Sequence, residues 1–259
     1  MLVHRLSMKT PMLWGLGIIA YLLFSVWLLP ASLWLKLVPT PNGVQFGAVT
    51  GTLWSGQIQA VRFQHWFIPD VRWQLQLSSL WRGQLGAQMQ AGQIANETAP
   101  YLQLRLQAGF NYIRIEQSSL RLPMTGVMAS VQLPMPVDAS GVVVLNLQQF
   151  KTGQPYCDAA TGTASWQQAR FKAPTGWIDL NQIDGSLACA NGHLSLQTNP
   201  DNPLGLAIKA ELLADRYQVN GTLQPAASMP AEVHQAMRFV GQQQPDGRFP
   251  LNFSGRLQP

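Results

Sequence analysis

Residues 71–77 read VRWQLQL, and this short stretch decides the fold class of the chain. Val71, Trp73, Leu75 and Leu77 are apolar, and a polar residue separates each of them from the next. An alternation with a period of two is typical of a β-strand that has one buried face and one solvated face. The stretch therefore predicts a strand in a sheet whose two faces differ in character.

The same alternation recurs from residue 44 to the end of the chain, with Gly, Asn, Asp and Pro at the intervals expected of antiparallel meanders. Segments 58–63 and 164–171 change phase midway, which predicts a β-bulge in each. Residues 231–243 instead follow the period of an amphipathic helix that begins after Pro230. The prediction is a mainly β fold: a mostly antiparallel, twisted sheet that must curl, fold over or be covered, with one short C-terminal helix. Further predicted strand segments are Val44–Ala48, Leu85–Ala91, Leu102–Leu106, Ile113–Ile115, Leu120–Leu122, Val127–Leu133, Val143–Leu147, Ile178–Leu180, Leu187–Cys189, Leu194–Leu196, Leu204–Leu212, Tyr217–Leu223 and Phe249–Leu257.

Residues 11–30 contain no charged side chain, and their length is sufficient for a helix to cross a bilayer. Trp14, Tyr21 and Trp27 are the aromatic residues of this predicted membrane anchor, since aromatic rings favour the membrane–water boundary. A cleaved signal peptide is an alternative, although Pro30-Ala31-Ser32 is a poor cleavage site. A buried helix of a soluble domain is a further alternative.

The charges that flank the apolar stretch predict its orientation. Arg5 and Lys9 precede it and Lys36 follows it, so the N-terminus is expected to stay in the cytoplasm. The predicted organisation is a cytoplasmic tail (1–10), a transmembrane anchor (11–30), a linker (31–43) and an extracytoplasmic β domain (44–259).

The composition excludes some classes of partner. The chain has 17 Lys and Arg against 12 Asp and Glu, yet three of the basic residues flank the apolar stretch. The remaining arginines are scattered, so no clustered basic face predicts a nucleic-acid partner. Charged residues make up 11% of the chain, below a usual value of about 25%, and 28 glutamines supply much of its polarity.

Cys157 and Cys189 are the two cysteines of the chain. In an oxidising compartment, two thiols within one domain usually pair, which predicts a disulfide between them. Two unpaired, buried cysteines are the alternative.

No catalytic, cofactor-binding or metal-ligating residues are predicted. His4, His65, His193 and His234 are isolated, and none forms HExxH or a zinc-ligand spacing with cysteine. His65 lies between aromatic residues and is interpreted as a packing residue. Asp179 and Asp184 are predicted to bracket a turn rather than to act as an acid/base pair.

One motif is more specific than any periodicity. After Gly43-Val44-Gln45-Phe46, the chain continues with Gly51, Thr52, Leu53, Trp54, Ser55 and Gly56. This order resembles the type II secretion system protein N family, which implies a periplasmic β domain tethered to the cell inner membrane. Membership implies no enzyme activity and no cofactor. It further implies partners in the secretion machine (the inner-membrane platform, the secretin or both) and membrane lipids around the anchor. The motif itself is interpreted as a structural turn, with Gly51 and Gly56 at its tight positions.

Two other functions remain open from the sequence. A tethered sheet with one apolar face also suits the binding of lipids or other hydrophobic ligands, as in the AsmA-like envelope proteins that this layout resembles. An envelope hydrolase would need Asp, His and Ser side chains that are distant in the chain to meet in space.

Overall fold

The computed structural model describes residues 10–37, 43–96, 98–130, 138–173 and 176–256. The predicted topology charges Arg5 and Lys9 lie outside these ranges. The described chain begins with two helices, α1 (Thr10–Trp27) and α2 (Ala31–Leu37). Judged by length together with apolar character, neither these nor any other helix in the described ranges qualifies as a membrane span. The anchor therefore stays a prediction. The sequence predicted only a linker where α2 forms, although Ala, Leu and Lys are good helix formers.

Fourteen strands in the described ranges form a single sheet. β1 and β2 both pair with β3, and from β3 onward each strand pairs with the next strand of the chain. Every pairing is antiparallel, as predicted. A 3₁₀ helix (Leu77–Arg82) joins β4 to β5. The strands are β1 (Val44–Phe46), β2 (Val49–Gly51), β3 (Ser55–Phe63), β4 (Trp66–Gln76), β5 (Leu85–Ala91), β6 (Tyr101–Ala108), β7 (Ile113–Pro123), β8 (Ala139–Thr152), β9 (Cys157–Ala173), β10 (Gly176–Ala190), β11 (His193–Thr198), β12 (Ala207–Leu212), β13 (Arg216–Leu223) and β14 (Phe249–Arg256).

The register of the strands separates apolar from polar side chains. Trp73 of β4 pairs with Met89 of β5, whereas the neighbouring Gln74 pairs with Gln88. Residues that pair across antiparallel strands lie on the same face of the sheet. The alternation seen in the sequence therefore produces one apolar face and one face rich in amides.

Three adjacent strands lose register at the same level of the sheet. Register shifts occur beside Gly141 in β8 and Asn181 in β10, and Gln168 in β9 between them has a positive φ of 50°. The bulge predicted in segment 164–171 is therefore confirmed. The turn predicted between Asp179 and Asp184 is wrong, because both residues lie within β10, where the Asp179 carboxylate accepts a hydrogen bond from the Asn181 amide (2.7 Å).

The bulge predicted in segment 58–63 is wrong, because the register of β3 against β4 does not shift between Ser55 and Phe63. Instead, Ile58 and Val61 belong to one apolar cluster, and Asp70 on the neighbouring strand adopts a positive φ of 52°. The edge beside β3 is also divided at this level, because β2 pairs with one half of β3 and β1 with the other. The change of phase between Ile58 and Val61 is therefore accommodated by the conformation of Asp70 and by the divided edge.

Helix α4 (Ala231–Val240) covers the apolar face near the C-terminal end of the sheet. Its Val233 and Met237 pack in a buried cluster with Ile178, Leu180 and Leu223. Leu180 is 1% exposed, so this cluster is the most deeply buried part of the described core. The helix was predicted to run to Gln243, but it ends at Val240 and Gly241 caps it.

A third short helix, α3 (Met124–Ser130), follows β7 and contradicts two predictions. The sequence predicted a strand from Val127 to Leu133 and only one helix after residue 43. Residues 124–130 are helical, and residues 131–133 lie outside the described ranges. Helix α3 packs against β7 and β8.

Candidate interaction sites

The family motif forms the corner between β2 and β3. Gly51 has a positive φ of 92°, and a Cβ atom there would lie 2.4 Å from the Ser55 carbonyl oxygen. The Thr52 amide donates a hydrogen bond to the same oxygen (2.8 Å). Only glycine suits a position that combines this φ with so close a backbone contact.

Trp73 of β4 supports the corner from the neighbouring strand. Its indole Nε1 donates a hydrogen bond to the Leu53 carbonyl oxygen (2.9 Å), and its ring lies over Gly56. A Cβ atom at position 56 would lie 2.2 Å from that ring. The Trp54 carbonyl oxygen accepts a hydrogen bond from the Leu75 amide (2.7 Å). The motif is thus attached to β4 through both backbone and side-chain bonds.

The corner also contacts the segment between α1 and α2. Pro30 forms an isolated antiparallel bridge with Thr52, and the Leu53 amide donates to the Leu29 carbonyl oxygen (3.3 Å). Next along the chain, Ala31 is 2% exposed and Leu35 of α2 packs against the Ile58 cluster. The motif therefore fixes the position of the N-terminal helices relative to the sheet. The motif was interpreted from the sequence as a turn, and nothing in the linear sequence indicated these contacts.

Cys157 and Cys189 form a disulfide. Cys157 begins β9 and Cys189 is the penultimate residue of β10, so the bond joins the two strands at the end opposite their connecting turn. Cys157 is 1% exposed. The alternative of two unpaired thiols therefore does not describe this structure.

A cavity of about 450 Å³ lies between α3 and the apolar face of the sheet. Its walls are almost entirely apolar, and Ser130 is at one end. The sequence did not reveal this cavity, because it depends on the helix that was predicted as a strand. The residues that line it include Trp66, Ile68, Leu102, Leu120, Leu122 and Val127.

His65 and Trp66 hold α3 in place over the sheet. His65 Nε2 lies 3.0 Å from both the Gly126 carbonyl oxygen and the Ser130 hydroxyl. The Trp66 ring covers Gly126, where a Cβ atom would lie 2.5 Å from it. His65 was interpreted from the sequence as a packing residue, and in the structure it is an exposed hydrogen-bonding residue that positions a helix.

The opposite, polar face of the sheet carries a second depression, of about 500 Å³, over β3 to β6. Gln57 and Arg72, which line it, donate hydrogen bonds to Asp70 (2.7 Å from Gln57 Nε2 and 2.8 Å from the Arg72 guanidinium). Glutamines are the most frequent residues of its lining. In the described ranges, no three His, Cys, Asp or Glu side chains come together in an arrangement suited to a metal ion.

Comparison with known proteins agrees with the resemblance of the motif. The family model described as "Type II secretion system (T2SS), protein N" matches residues 42–252. The chain is 31% identical over 249 residues to the type II secretion system protein N of Aeromonas hydrophila, with 94% of this chain and 97% of that protein covered. It is 28% identical over 238 residues to the protein of the same name from Vibrio cholerae, with 88% and 91% covered.

A third relative of that name, from Pectobacterium carotovorum, is 27% identical over 256 residues, covering 97% of this chain and all of that protein. No solved structure matches the chain. The family model spans β1 to the middle of β14, so the match includes nearly the whole sheet and not the motif alone. This chain belongs to the type II secretion system protein N family.

Proposed function

We propose that the chain is a non-enzymatic component of the type II secretion system that acts through protein–protein contacts in the periplasm. The observation that carries the proposal is the family match from β1 to the middle of β14. In this proposal the sheet contacts the inner-membrane platform, the secretin or both, and so supports export of folded proteins across the outer membrane. The amide-rich face offers hydrogen-bonding groups for such contacts without a concentration of charge.

The proposal places the N-terminal stretch in the inner membrane and the sheet in the periplasm. Three observations support this arrangement. Residues 11–30 are uncharged, and the described α1 side chains Trp14, Ile19 and Tyr21 are exposed. A disulfide is typical of an oxidising compartment, which the periplasm is and the cytoplasm is not. Arg5 and Lys9 favour a cytoplasmic N-terminus.

Deleting the gene from a strain that has a type II system should cause exoproteins to accumulate in the periplasm. Complementation with photo-crosslinkable residues tests the contacts directly. Substitution at exposed Gln74 or Gln90 should capture platform or secretin components, whereas substitution at buried Leu180 should capture none. Unchanged secretion, together with an absence of machine components among the captured proteins, would contradict the proposal.

A second candidate function is the binding of a lipid or another hydrophobic ligand. The observation that favours it is the apolar cavity beneath α3, whose volume is in the range of small-molecule sites. In the described ranges all strands also belong to one sheet, so no separate second sheet covers its apolar side. A single acyl chain suits such a cavity because its apolar lining offers few hydrogen bonds.

A diazirine-bearing palmitate supplied to cells tests this second function on the full chain. Photolysis should label the wild type, and Val127→Trp, which fills the cavity, should greatly reduce labelling. Ile113→Trp introduces the same side chain at an exposed position outside the cavity and should leave labelling unchanged. Equal labelling of the two variants, or no labelling of the wild type, would rule the cavity out as a lipid site.

A further inference from the structure

The two edges of the sheet differ. At the N-terminal edge, β1 and β2 are short and separated by Gly47 and Ala48, and the residue that follows β2, Thr52, is already paired with Pro30. At the other edge, β14 is a longer strand that pairs only with β13. Short, interrupted or covered edges resist further pairing, whereas a longer uncovered strand accepts it.

The hydrogen-bonding direction of each β14 residue follows from the preceding hairpin. The Leu213 amide donates to the Arg216 carbonyl oxygen (2.8 Å), so Arg216 directs its backbone groups toward β12. Direction alternates along a strand, and Tyr217 and Val219 therefore direct theirs toward β14, where they pair with Gly255 and Phe253. The even-numbered residues of β14 consequently direct their amides and carbonyls away from the sheet.

Pro250 agrees with this assignment, because it lacks an N–H group and is tolerated where that group would face outward. Past it, Asn252, Ser254 and Arg256 present outward-facing backbone groups. Within the described residues, no hydrogen bond occupies the amides of Asn252 and Ser254. Both residues are exposed. This part of the edge is therefore available to another strand.

The apolar face is also incomplete beside this edge. Phe249 and Leu251 pack against the cluster that α4 covers, but Phe253 is 55% exposed and Tyr217, on the adjacent strand, is 43% exposed. The Tyr217 ring lies over Gly255 and brings a second aromatic surface to the strand end. A partner strand that extended the sheet here would bury both rings.

We propose that the partner is a second copy of this chain, with the two β14 strands paired antiparallel about a two-fold axis at Phe253. In this register Asn252 pairs with Ser254 of the other copy, and each such pair exchanges two backbone hydrogen bonds. Phe253 lies opposite its own copy on the apolar face, as an aromatic cross-strand pair. Pro250 lies opposite Arg256, so the missing N–H is placed at the end of the pairing.

The position of Arg256 favours this register over a shifted one. The proposed pairing keeps the two Arg256 side chains at opposite ends of the interface. A shift of the axis to Gly255 would bring them close together and would shorten the pairing. A head-to-tail pairing of β14 with the N-terminal edge would offer only the interrupted β1 and β2. An isologous contact also closes on itself and produces a dimer rather than a fibre.

The test compares proline and alanine at the same position in the full chain, purified in detergent. Ser254→Pro removes one outward-facing amide without removing a bond to β13. It should abolish the dimer and leave the urea midpoint unchanged at a dilution where the wild type is also monomeric. Ser254→Ala keeps the amide and should remain dimeric. Sedimentation measures the mass of each variant.

A cysteine placed at the axis supplies a second readout. Phe253→Cys should form a disulfide-linked dimer under mild oxidation, because directly opposed residues bring their Cα atoms within disulfide range. Gln90→Cys, exposed on a central strand, should not. A monomeric wild type, or a dimer that survives Ser254→Pro without crosslinking through Phe253→Cys, overturns the proposal. Capture of a different protein by Phe253→Cys also overturns it and assigns the edge to that partner.

Discussion

Replacing both Cys157 and Cys189 with alanine should lower the free energy of unfolding by about 3–4 kcal/mol, as chain entropy predicts for a closed loop of this length. The two residues are separated by 32 positions. Without the bond, the unfolded chain regains the freedom of the loop, while the folded hairpin loses its link between the start of β9 and the end of β10. Urea denaturation followed by circular dichroism measures the change.

Reductant provides the matched control for this prediction. Dithiothreitol should shift the urea midpoint of the wild type toward that of the double-alanine variant, and it should leave the variant itself unchanged. The single replacement Cys157→Ala should behave like the double variant. If the wild type keeps its midpoint under reducing conditions, the disulfide does not stabilise the sheet.

Gly56→Ala should destabilise the chain by about 3–5 kcal/mol, the range for loss of a large packed aromatic side chain. The new methyl group would overlap the Trp73 ring, whose nearest atom lies 2.2 Å from the Cβ position. The ring cannot move aside without breaking its hydrogen bond to Leu53 and leaving the Ile58 cluster. The same substitution therefore also loosens the contact between the corner and the segment at Pro30.

Two further variants separate the parts of this effect. Trp73→Phe keeps most of the ring but leaves the Leu53 carbonyl oxygen without its donor, which costs about 1–3 kcal/mol. Gly241→Ala adds the same methyl group where the nearest atom is 3.9 Å away, and it should be nearly neutral. Equal stability of Gly56→Ala and Gly241→Ala in urea would show that the Trp73 ring is not held over the motif.

The strands were predictable because each sheet face selects one type of side chain. In β4, the alternation from Val71 to Leu75 correctly predicts which residues face the core. The bulge at Gln168 was also predictable, since an extra residue in a strand changes the phase of its apolar positions. Both properties depend on residues within one strand, so a single sequence is sufficient to predict them.

Helix α3 was missed because tertiary contacts determine it. The apolar residues of the segment Val127–Leu133 follow a period of two, so the segment was predicted to be a strand. In the structure, the Trp66 ring and His65 Nε2 contact this helix at Gly126. His65 and Gly126 are 61 positions apart in the sequence. The apolar cavity that depends on this helix was hidden for the same reason.

The family motif was visible in the sequence, but its contacts were not. Gly51 and Gly56 indicated a tight corner because glycine adopts positive φ angles. Its main support, Trp73, lies on the next strand, and its contact with Leu29 and Pro30 joins it to helices that show no alternation. Neither contact produces a pattern among residues that are close together in the sequence.

The sequential order of the strands has a consequence for how the molecule comes apart. Each strand from β4 to β13 pairs only with its predecessor and its successor, so this part of the sheet resembles a linear array with nearest-neighbour coupling. Local unfolding of such an array is expected to start at an edge strand, which has only one neighbour, and to proceed inward strand by strand. The disulfide between β9 and β10 should stop unfolding that spreads from the C-terminal side. In the monomeric Ser254→Pro variant, amide hydrogen exchange on the C-terminal side of the sheet should therefore be fastest in β14 and fall sharply at β10.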